Sequence, residues 1–303
     1  MKHIFVVNPA AGGGQAEKTV LPLVRAALKD KELDYEIHRT LNKSETAEYV
    51  RQKALEGVRT RFYACGGDGT LNDVLTGMLG FENADLALVP CGTGNDFAKN
   101  FSSRDRLRDI EALMKADTVP CDVIKYGGGC CLNMFNIGID CDVVVESRKT
   151  RGILAGSPMS YAAAALKVLS KGKTYRMAWE LDGERREDEI MLCAVANGRF
   201  CGGGFKSSPL ASVRDGIMDV AVVRPVRGLK MLRLLLKYRQ GTYLEAEEAK
   251  DIVEYFKCES FRLIPLEDVH VAVDGEVEEF KETEFRVAPS AVRIAVPEGC
   301  ELL

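Results

Sequence analysis

The stretch Cys65-Gly66-Gly67-Asp68-Gly69-Thr70-Leu71-Asn72-Asp73-Val74 lies between an apolar run and a segment with helical periodicity. The run Phe62 to Cys65 has the composition of a buried strand. The apolar residues after the glycines are spaced as on one face of a helix: Leu71, Val74, Leu75 and Met78. Because glycine has no Cβ, such a turn lets backbone N–H groups approach an anion, and the helix dipole favours phosphate there. The stretch therefore predicts a phosphate site.

Asp68 is unusual in a turn that binds anions, because a carboxylate repels phosphate. Its presence is explained if a divalent cation lies between the carboxylate and the phosphate oxygens, as Mg²⁺ does in many proteins. The glycines alone would be better explained by a tight turn, but the embedded Asp68 and Thr70 favour the nucleotide interpretation. The stretch therefore predicts a site for a Mg–nucleotide complex.

Apolar strands and amphipathic helices alternate over the first 120 residues, which predicts an α/β domain with a parallel, Rossmann-like doubly wound sheet. Strands are expected at 3–7, 34–38, 61–65 and 86–90, and helices at 15–29, from near Ser44, and at 71–79. Ligands of such sheets bind beyond the carboxyl ends of the strands. The Gly-rich turns at 12–14, 66–69 and 92–94 all fall at that edge, so we expect them to form one site.

From about residue 120 the segments become short and alternate in polarity between Gly and Asp-Gly turns, which predicts a mostly antiparallel β-sandwich. Strands are expected at 123–126, 132–137, 177–181, 189–196, 218–223, 262–263 and 269–273, and helices at about 158–171 and 228–239. The predicted domains are 1–120, for nucleotide binding, and 121–303, for lipid binding, with the active-site cleft between them. Whether the last few residues return to the first domain is left open.

The composition excludes several classes of protein. A hydrophobic content of 46% with 28% charged residues is typical of a soluble globular chain, and a net charge of −4 argues against general nucleic-acid binding. No run approaches the ~18 apolar residues that span a bilayer, and Met1 to Val7 is too short for a signal peptide. The ten cysteines form no CxxC pair, so we expect reduced, mostly buried thiols in the cytoplasm and no zinc site.

Three motifs of the first domain resemble the catalytic domain of diacylglycerol kinases: Asn8-Pro9-x-x-Gly12, Gly66-Gly67-Asp68-Gly69-Thr70-Leu71-Asn72 and Pro90-x-Gly92-Thr93-Gly94-Asn95-Asp96-Phe97-Ala98. The second domain continues the similarity, in order, with Asn197-Gly198, Gly202-Gly203-Gly204, Ser208-Pro209, Asp215-Gly216-x-Met218-Asp219 and Asp274-Gly275-Glu276. Nearly the whole chain is thus similar to the soluble bacterial diacylglycerol and related lipid kinases, whose relatives include sphingosine and ceramide kinases. The Gly-Gly-Asp-Gly-Thr string is shared with NAD kinases, whereas the third motif is more specific to lipid kinases.

The resemblance implies transfer of the γ-phosphate of ATP to the hydroxyl of diacylglycerol, giving phosphatidic acid, or to that of a related lipid. It implies that the nucleotide is held by Asn8, Gly12, Gly13, Thr40, Gly66, Gly67, Asp68, Gly69, Thr70, Leu71, Asn72, Thr93, Asn95 and Asp96. Glu276 would be the general base on the lipid hydroxyl, with Asp274 beside it. A kinase needs little more than positioning, charge neutralisation and such a base.

Two Mg²⁺ ions follow from the same resemblance. Asp68 would position the catalytic ion, with Asp122 joining the acidic network, and the Asp215 carboxylate would hold a structural ion with backbone oxygens of Ser212 and Ile217. The chain departs from its relatives in two places. Ala11 and Gly13 stand where many relatives carry a serine and a basic residue, and Arg214 precedes Asp215 where paired acids are common.

Several motifs also have simpler interpretations. Asp-Gly-Glu occurs at 182–184 and at 274–276, and each is expected to form a type I′ hairpin turn; only the second matches the family. Asn95 and Asp96 are placed to cap the following helix. The helix at 228–239 has leucines beside Arg227, Lys230, Arg233 and Lys237, and its leucines are expected to face the core rather than a membrane. The loop Arg148-Lys149-x-Arg151 is a second candidate for membrane contact.

The leading hypothesis is an ATP-dependent lipid kinase at the inner face of the cytoplasmic membrane, in transient peripheral contact with it. A kinase of a soluble substrate, such as an NAD kinase, is the second hypothesis, and a nucleotide-binding regulatory protein without turnover is the third. The sequence leaves open which lipid is phosphorylated and whether the chain forms a homodimer.

Overall fold

The computed structural model describes residues 1–147, 149 and 158–303, which divide into two compact units. Unit 1 comprises residues 1–123 and 289–303, and unit 2 comprises residues 124–288. The elements that begin in unit 1 are β1 (Lys2–Val7), α1 (Ala11–Gly14), α2 (Ala16–Leu28), β2 (Tyr35–Arg39), α3 (Lys43–Leu55), β3 (Thr60–Gly66), α4 (Asp68–Met78), β4 (Ala84–Pro90), α5 (Ile110–Lys115) and β5 (Asp117–Tyr126).

Unit 1 is built on a parallel sheet in the order β2-β1-β3-β4, which confirms the predicted α/β class. Strand β3 is buried at every residue, as expected of a central strand covered on both faces. Helix α3 packs against α4, and α2 packs against α5. The apolar face predicted for α2 is the one that is buried: Val20, Leu21, Val24, Ala27 and Leu28.

Helix α3 begins at Lys43, close to the expected start near Ser44, but the residue that caps it was not predicted. Asn42 is the N-cap, and its side-chain oxygen accepts a hydrogen bond from the Glu45 backbone N–H at 3.0 Å. The third Gly-rich turn also leads into something shorter than the predicted helix, a 3₁₀ segment at Phe97–Asn100. Both differences arise because caps and short helical turns depend on a few local hydrogen bonds that hydrophobic periodicity does not report.

Unit 2 is mostly antiparallel, which confirms the predicted β-sandwich. The remaining elements are β6 (Gly129–Cys131), β7 (Met134–Gly138), α6 (Ile139–Ser147), α7 (Pro158–Lys171), β8 (Tyr175–Leu181), β9 (Glu184–Ile190), β10 (Leu192–Ala196), β11 (Met218–Val223), α8 (Gly228–Gln240), β12 (Val253–Cys258), β13 (Ser260–Pro265), β14 (His270–Val273), β15 (Glu276–Glu279) and β16 (Thr283–Val296). One sheet has the order β12-β11-β10-β7-β14-β15, and in the other β16 is followed by β13, β8 and β9. The later part of β16 belongs to unit 1, where it pairs in parallel with β4.

Aromatic side chains fill the core of unit 2. Phe135 of β7 meets Phe285 of β16 edge to face, with 4.6 Å between ring centroids, and Phe261 of β13 is also fully buried. Burying one such side chain contributes about 1.5–3 kcal/mol, so this cluster is a large part of what holds the two sheets together.

The structure adds elements that the sequence pattern did not predict: α6, β9, β12, β15 and β16. The leucines of α8 also contradict the expectation, because Leu229, Leu232 and Leu236 are exposed while Leu234 is buried. The candidate loop at Arg148 and Arg151 lies outside the described residues. All ten cysteines are free thiols, and eight of them are buried.

A buried carboxylate, that of Asp85, links strands β3, β4 and β16 of unit 1. Asp85 at the start of β4 is 1% exposed, and its oxygens accept hydrogen bonds from Arg59 at 3.0 Å and from Arg293 at 2.9 Å. Arg61, also buried, lies 4.0 Å away and donates to the carbonyl of Ala116 just after α5. One carboxylate thus balances charges from β3, the turn before it, and β16.

We expect Asp85→Asn to lower the free energy of unfolding by about 3 kcal/mol, because it leaves the buried Arg61 guanidinium without its counter-charge. Glu17→Gln is the control, since it breaks the exposed pair with Arg39 and should change the stability by less than about 0.5 kcal/mol. Urea unfolding of both variants measures the difference. Equal stabilities would contradict the structural role given to Asp85.

Candidate functional site

The three Gly-rich turns of unit 1 meet at the carboxyl ends of β1, β3 and β4. The Asn8 side chain donates to the Thr70 hydroxyl at 2.9 Å, which joins the first turn to the second. The backbone N–H groups of Cys91 and Gly92 both donate to the carbonyl of Gly66, at 2.9 and 3.2 Å, which joins the third turn to the second. The predicted convergence of the turns is therefore present in the structure.

Glycine is required at these contacts because the backbones nearly touch. A Cβ on Gly92 would lie 2.4 Å from the Cα of Gly67, and a Cβ on Gly12 would lie 2.5 Å from the carbonyl oxygen of Cys91. Gly12 and Gly13 also have left-handed backbones, with φ of 60° and 66°. Gly13 is not in close contact, since no atom lies within 4 Å of its Cβ position.

Asp68 is the first residue of α4, directly after the N-cap Gly67. Its Oδ1 accepts a hydrogen bond from the backbone N–H of Phe97 at 3.2 Å, so the carboxylate lies between the second and third turns. The N–H groups of the first turn of α4 point toward the same edge, as at any helix N-terminus, and Gly67 has no side chain to cap them. A carboxylate beside a helix N-terminus is the donor set that a cation with bound phosphate needs, so these residues fit a metal–nucleotide complex.

The other predicted nucleotide and metal residues of unit 1 have these positions. Gly66, Gly67, Asp68, Leu71 and Asn95 line one small cavity at the ends of β3 and β4. Thr40 follows β2 and its N–H donates to Val7 at 2.9 Å, next to the first turn. Gly69 and Asn72 lie in the first turns of α4, and Thr93 is exposed in the third turn. Asp122 is buried, and its carboxylate accepts from the N–H of Ser290 at 2.7 Å; its place in an acidic network stays a prediction.

Asn95 and Asp96 do not cap a helix as predicted. The Asn95 amide donates to the Gly92 carbonyl at 2.7 Å and accepts from the Gly92 N–H at 2.9 Å, which closes the third turn on itself. Asp96 makes no side-chain cap hydrogen bond and pairs with Lys99. Lys99, which also donates to the Gly94 carbonyl at 2.9 Å, is a cation at this edge that the sequence analysis missed; its position three residues after Asp96 was the available signal.

In unit 2, Asp274 anchors the hairpin that carries Glu276. Its carboxylate accepts hydrogen bonds from three consecutive backbone N–H groups, those of Leu132, Asn133 and Met134, at 2.9–3.0 Å. The Cys131 thiol donates to it at 3.0 Å, and burial together with the Asp274 charge raises the pKa of that thiol. These four hydrogen bonds fix the position of the Asp274 side chain. Glu276, at the start of β15, is exposed.

A lysine side chain, that of Lys257, lies beside the Asp215 carboxylate. The Lys257 ammonium lies 3.1 Å from Asp215 Oδ2 and 3.4 Å from Asp219 Oδ2, and it donates to the Leu210 carbonyl at 3.1 Å. Asp219 is buried, and burial raises the pKa of its carboxyl. The ammonium thus already balances the carboxylate that was predicted to bind a structural metal with Ser212 and Ile217. In the described residues no cluster of three or more His, Cys, Asp or Glu side chains could hold a metal.

An apolar cavity of about 70 Å³ lies inside unit 2. Its polar lining is the Asp140 carboxylate, which accepts a hydrogen bond from the Tyr238 hydroxyl at 3.0 Å. Burial raises the pKa of Asp140 to about 6. The apolar lining comes chiefly from α8 and the neighbouring strands, with Leu192, Val223, Met231, Leu234, Leu235 and Val253. No sequence pattern predicted this pair, because its members lie 98 positions apart.

Comparison with known proteins agrees with this architecture. Residues 2–126 match the diacylglycerol kinase catalytic domain, and residues 134–296 match the YegS C-terminal NAD kinase beta sandwich-like domain. A protein of Alcanivorax borkumensis described as "Probable lipid kinase YegS-like" is 28% identical over 261 residues, 84% of each chain. A protein of Pseudomonas aeruginosa (strain UCBPP-PA14) with the same description is 28% identical over 294 residues, 96% of this chain and 94% of that protein.

A crystal structure described as a diacylglycerol kinase from Bacillus anthracis matches the fold with a TM-score of 0.70 at 21% identity, covering 100% of this chain and 98% of that one. The fold and the matched domains define a kinase. The chain belongs to the bacterial family of YegS-like and diacylglycerol kinase-like lipid kinases. It is a lipid kinase, and its family implies ATP as co-substrate together with a divalent metal ion.

The contacts of Gly12 and Gly13 allow a matched test of the nucleotide site. Both substitutions by alanine incur about 1–2 kcal/mol for a left-handed backbone, but only Gly12→Ala also forces its Cβ against the Cys91 carbonyl. We therefore expect Gly12→Ala to weaken ATP binding about tenfold more than Gly13→Ala does. Calorimetric titration with ATP measures both affinities, and equal losses would show that the first turn does not depend on this contact.

The Asp215 loop gives a second test. We expect Lys257→Met to lower the stability by about 2 kcal/mol, because two carboxylates lose their counter-charge, and added Mg²⁺ or Ca²⁺ should then restore much of it. The parent protein should respond less, since its ammonium already holds this position. Thermal unfolding with and without each cation provides the measurement. The same response from parent and variant would argue against Lys257 as the resident cation.

Proposed function

We propose that the protein transfers the γ-phosphate of ATP to the hydroxyl of diacylglycerol, giving phosphatidic acid. The observation that carries the proposal is the apolar cavity of unit 2, whose lining includes the hydrogen-bonded Asp140 carboxylate and Tyr238 hydroxyl, in a chain whose other unit has the glycine turns of a candidate nucleotide site. The chemistry of this lining suits an acceptor that is largely hydrocarbon with a polar end, and the cavity, at about 70 Å³, would have to widen to admit one.

The nucleotide phosphates would lie against the backbone of the three turns. The N-terminus of α4 supplies a positive dipole, and the glycines at positions 12 and 92 place no side chain in the turns. Asp68 would hold the divalent ion, which we propose to be Mg²⁺. When bound, that ion neutralises charge on the phosphate oxygens.

Glu276 would take the proton from the acceptor. The hydroxyl oxygen attacks the γ-phosphorus, the bond from that phosphorus to the ADP oxygen breaks, and the hydroxyl proton passes to the Glu276 carboxylate. The three backbone N–H groups on Asp274 hold the turn that carries Glu276, so we assign Asp274 a positioning role. Fixing a base in this way reduces the motion needed to reach the reactive geometry.

A lipid substrate places the enzyme at a membrane surface, and we propose peripheral contact with the inner face of the cytoplasmic membrane. None of the helices in the described part of the chain has the length and apolarity that crossing a bilayer requires. NAD remains the alternative acceptor to test, because the matched second domain is described as NAD kinase beta sandwich-like.

The test is transfer of labelled γ-phosphate from ATP to a panel of acceptors in mixed micelles: diacylglycerol, phosphatidylglycerol, a sphingoid base, undecaprenol and NAD. We expect labelled phosphatidic acid, dependent on Mg²⁺. Glu276→Gln should lower kcat by about 10²–10⁴-fold, the usual contribution of a general base. Glu184→Gln is the matched control, because Glu184 follows the other Asp-Gly turn in the same position and is also exposed.

Each outcome separates the alternatives. Label on another lipid would keep the mechanism and change the substrate, whereas label on NAD would overturn the lipid proposal. Equal loss of activity in the Glu184 and Glu276 variants would show that Glu276 is not the general base. Binding of ATP without transfer to any acceptor would favour a regulatory protein.

A further inference from the structure

Helix α8 presents an apolar stripe to solvent. Leu229, Leu232 and Leu236 are 74%, 46% and 57% exposed, and their spacing of three and four residues places them along one face. Single exposed leucines are common on protein surfaces, but three in line on one helix form a continuous strip that a solvated helix would not need.

The opposite face of α8 accounts for its attachment to unit 2. Leu234 and Tyr238 are buried, and Met231 and Leu235 join them in lining the apolar cavity. The exposed leucines therefore do not belong to the face of α8 that packs on the core of unit 2. The helix has two apolar faces, one toward the cavity and one outward.

Cations border the outward strip. Lys230, Arg233 and Arg239 are exposed, and α8 contains no acidic residue between Gly228 and Gln240. Lys237 pairs with Glu248 at 3.4 Å, and the charge of Arg233 also acts on that carboxylate. A local cluster of this sign contrasts with the net charge of −4 for the whole chain.

We propose that the outward face of α8 docks on an anionic bilayer, with Leu229, Leu232 and Leu236 entering the headgroup boundary and Lys230, Arg233 and Arg239 lying at the lipid phosphates. The charge of the helix selects this occupant: leucines flanked by basic residues on a helix too short to span are the pattern of an interfacial helix. An apolar strip for a protein partner would not need exposed cations on both of its sides.

The placement also connects the membrane to the cavity. If α8 lies on the bilayer, a lipid would have to pass this helix to reach the cavity behind it. At about 70 Å³ the cavity is smaller than a ligand pocket of ordinary size. This second step rests on the proposed function, since it presumes a membrane lipid as acceptor. The docking itself does not depend on which lipid is phosphorylated.

The test is co-sedimentation of the full chain with vesicles of phosphatidylcholine alone and of phosphatidylcholine mixed with phosphatidylglycerol. We expect binding to the anionic vesicles, weakening as salt is added. The variant Leu229→Ser/Leu232→Ser/Leu236→Ser should lose at least about tenfold in binding, and Lys230→Gln/Arg233→Gln/Arg239→Gln should lose the preference for anionic vesicles. Leu55→Ser is the matched control, because Leu55 lies on α3 and has the same 57% exposure as Leu236.

Thermal unfolding of each variant establishes that it is folded. Unchanged binding of the triple-serine variant, an equal loss in the Leu55 variant, or no binding of the parent to anionic vesicles would overturn the proposal. Phosphorylation of a short-chain, water-dispersible diacylglycerol keeps the two proposals apart. Activity on that substrate with no docking by α8 contradicts the docking alone, and docking without activity on any lipid contradicts the proposed function alone.

Discussion

The candidate nucleotide site depends on backbone contact between two glycine turns. The carbonyl of Gly66 accepts hydrogen bonds from both Cys91 and Gly92, and Gly92 approaches Gly67 so closely that a Cβ would occupy the position of its neighbour. Because this contact brings the third turn to Asp68, the carboxylate receives the N–H of Phe97 as well as lying at the start of α4. A larger residue at position 92 would separate the turns and move the third turn away from the Asp68 carboxylate.

The same edge of unit 1 has little side-chain positive charge to offer phosphate. In the first turn Ala11 and Gly13 carry no charge, and Lys99 is already paired with Asp96 and the Gly94 carbonyl. Under the proposed function, neutralisation of the phosphates would therefore fall on the dipole of α4, on oriented N–H groups and on a divalent ion. This division makes the backbone conformation of the turns more important here than it would be in a site that relies on lysine or arginine.

Sequence reasoning succeeded where the signal is local and repeated. Glycines mark close approaches such as Gly12, and helical spacing identified the buried face of α2 because both are properties of adjacent residues. It failed where distant groups meet: Lys257 at Asp215 and Tyr238 at Asp140 depend on strand register and helix packing. Strand β9 was missed because six of its seven residues are charged, which suits an exposed edge strand but gives no alternating pattern.

The two Asp-Gly-Glu strings show where local sequence stops being informative. Both form hairpin turns with left-handed Asp and Gly, with φ of 52° and 81° at 182–183 and of 46° and 88° at 274–275. The backbone of the turn therefore carries no information about function, and the type I′ expectation was right for both. What differs is the surrounding structure: Asp182 is exposed, whereas Asp274 is buried and receives three N–H groups from the segment that opens β7. A hairpin held at its tip in this way can keep a following carboxylate in one place, and a hairpin with a solvated tip cannot. The position from which Glu276 would act as a base thus depends on residues 132–134, which are far from it in sequence, and not on the tripeptide that contains it.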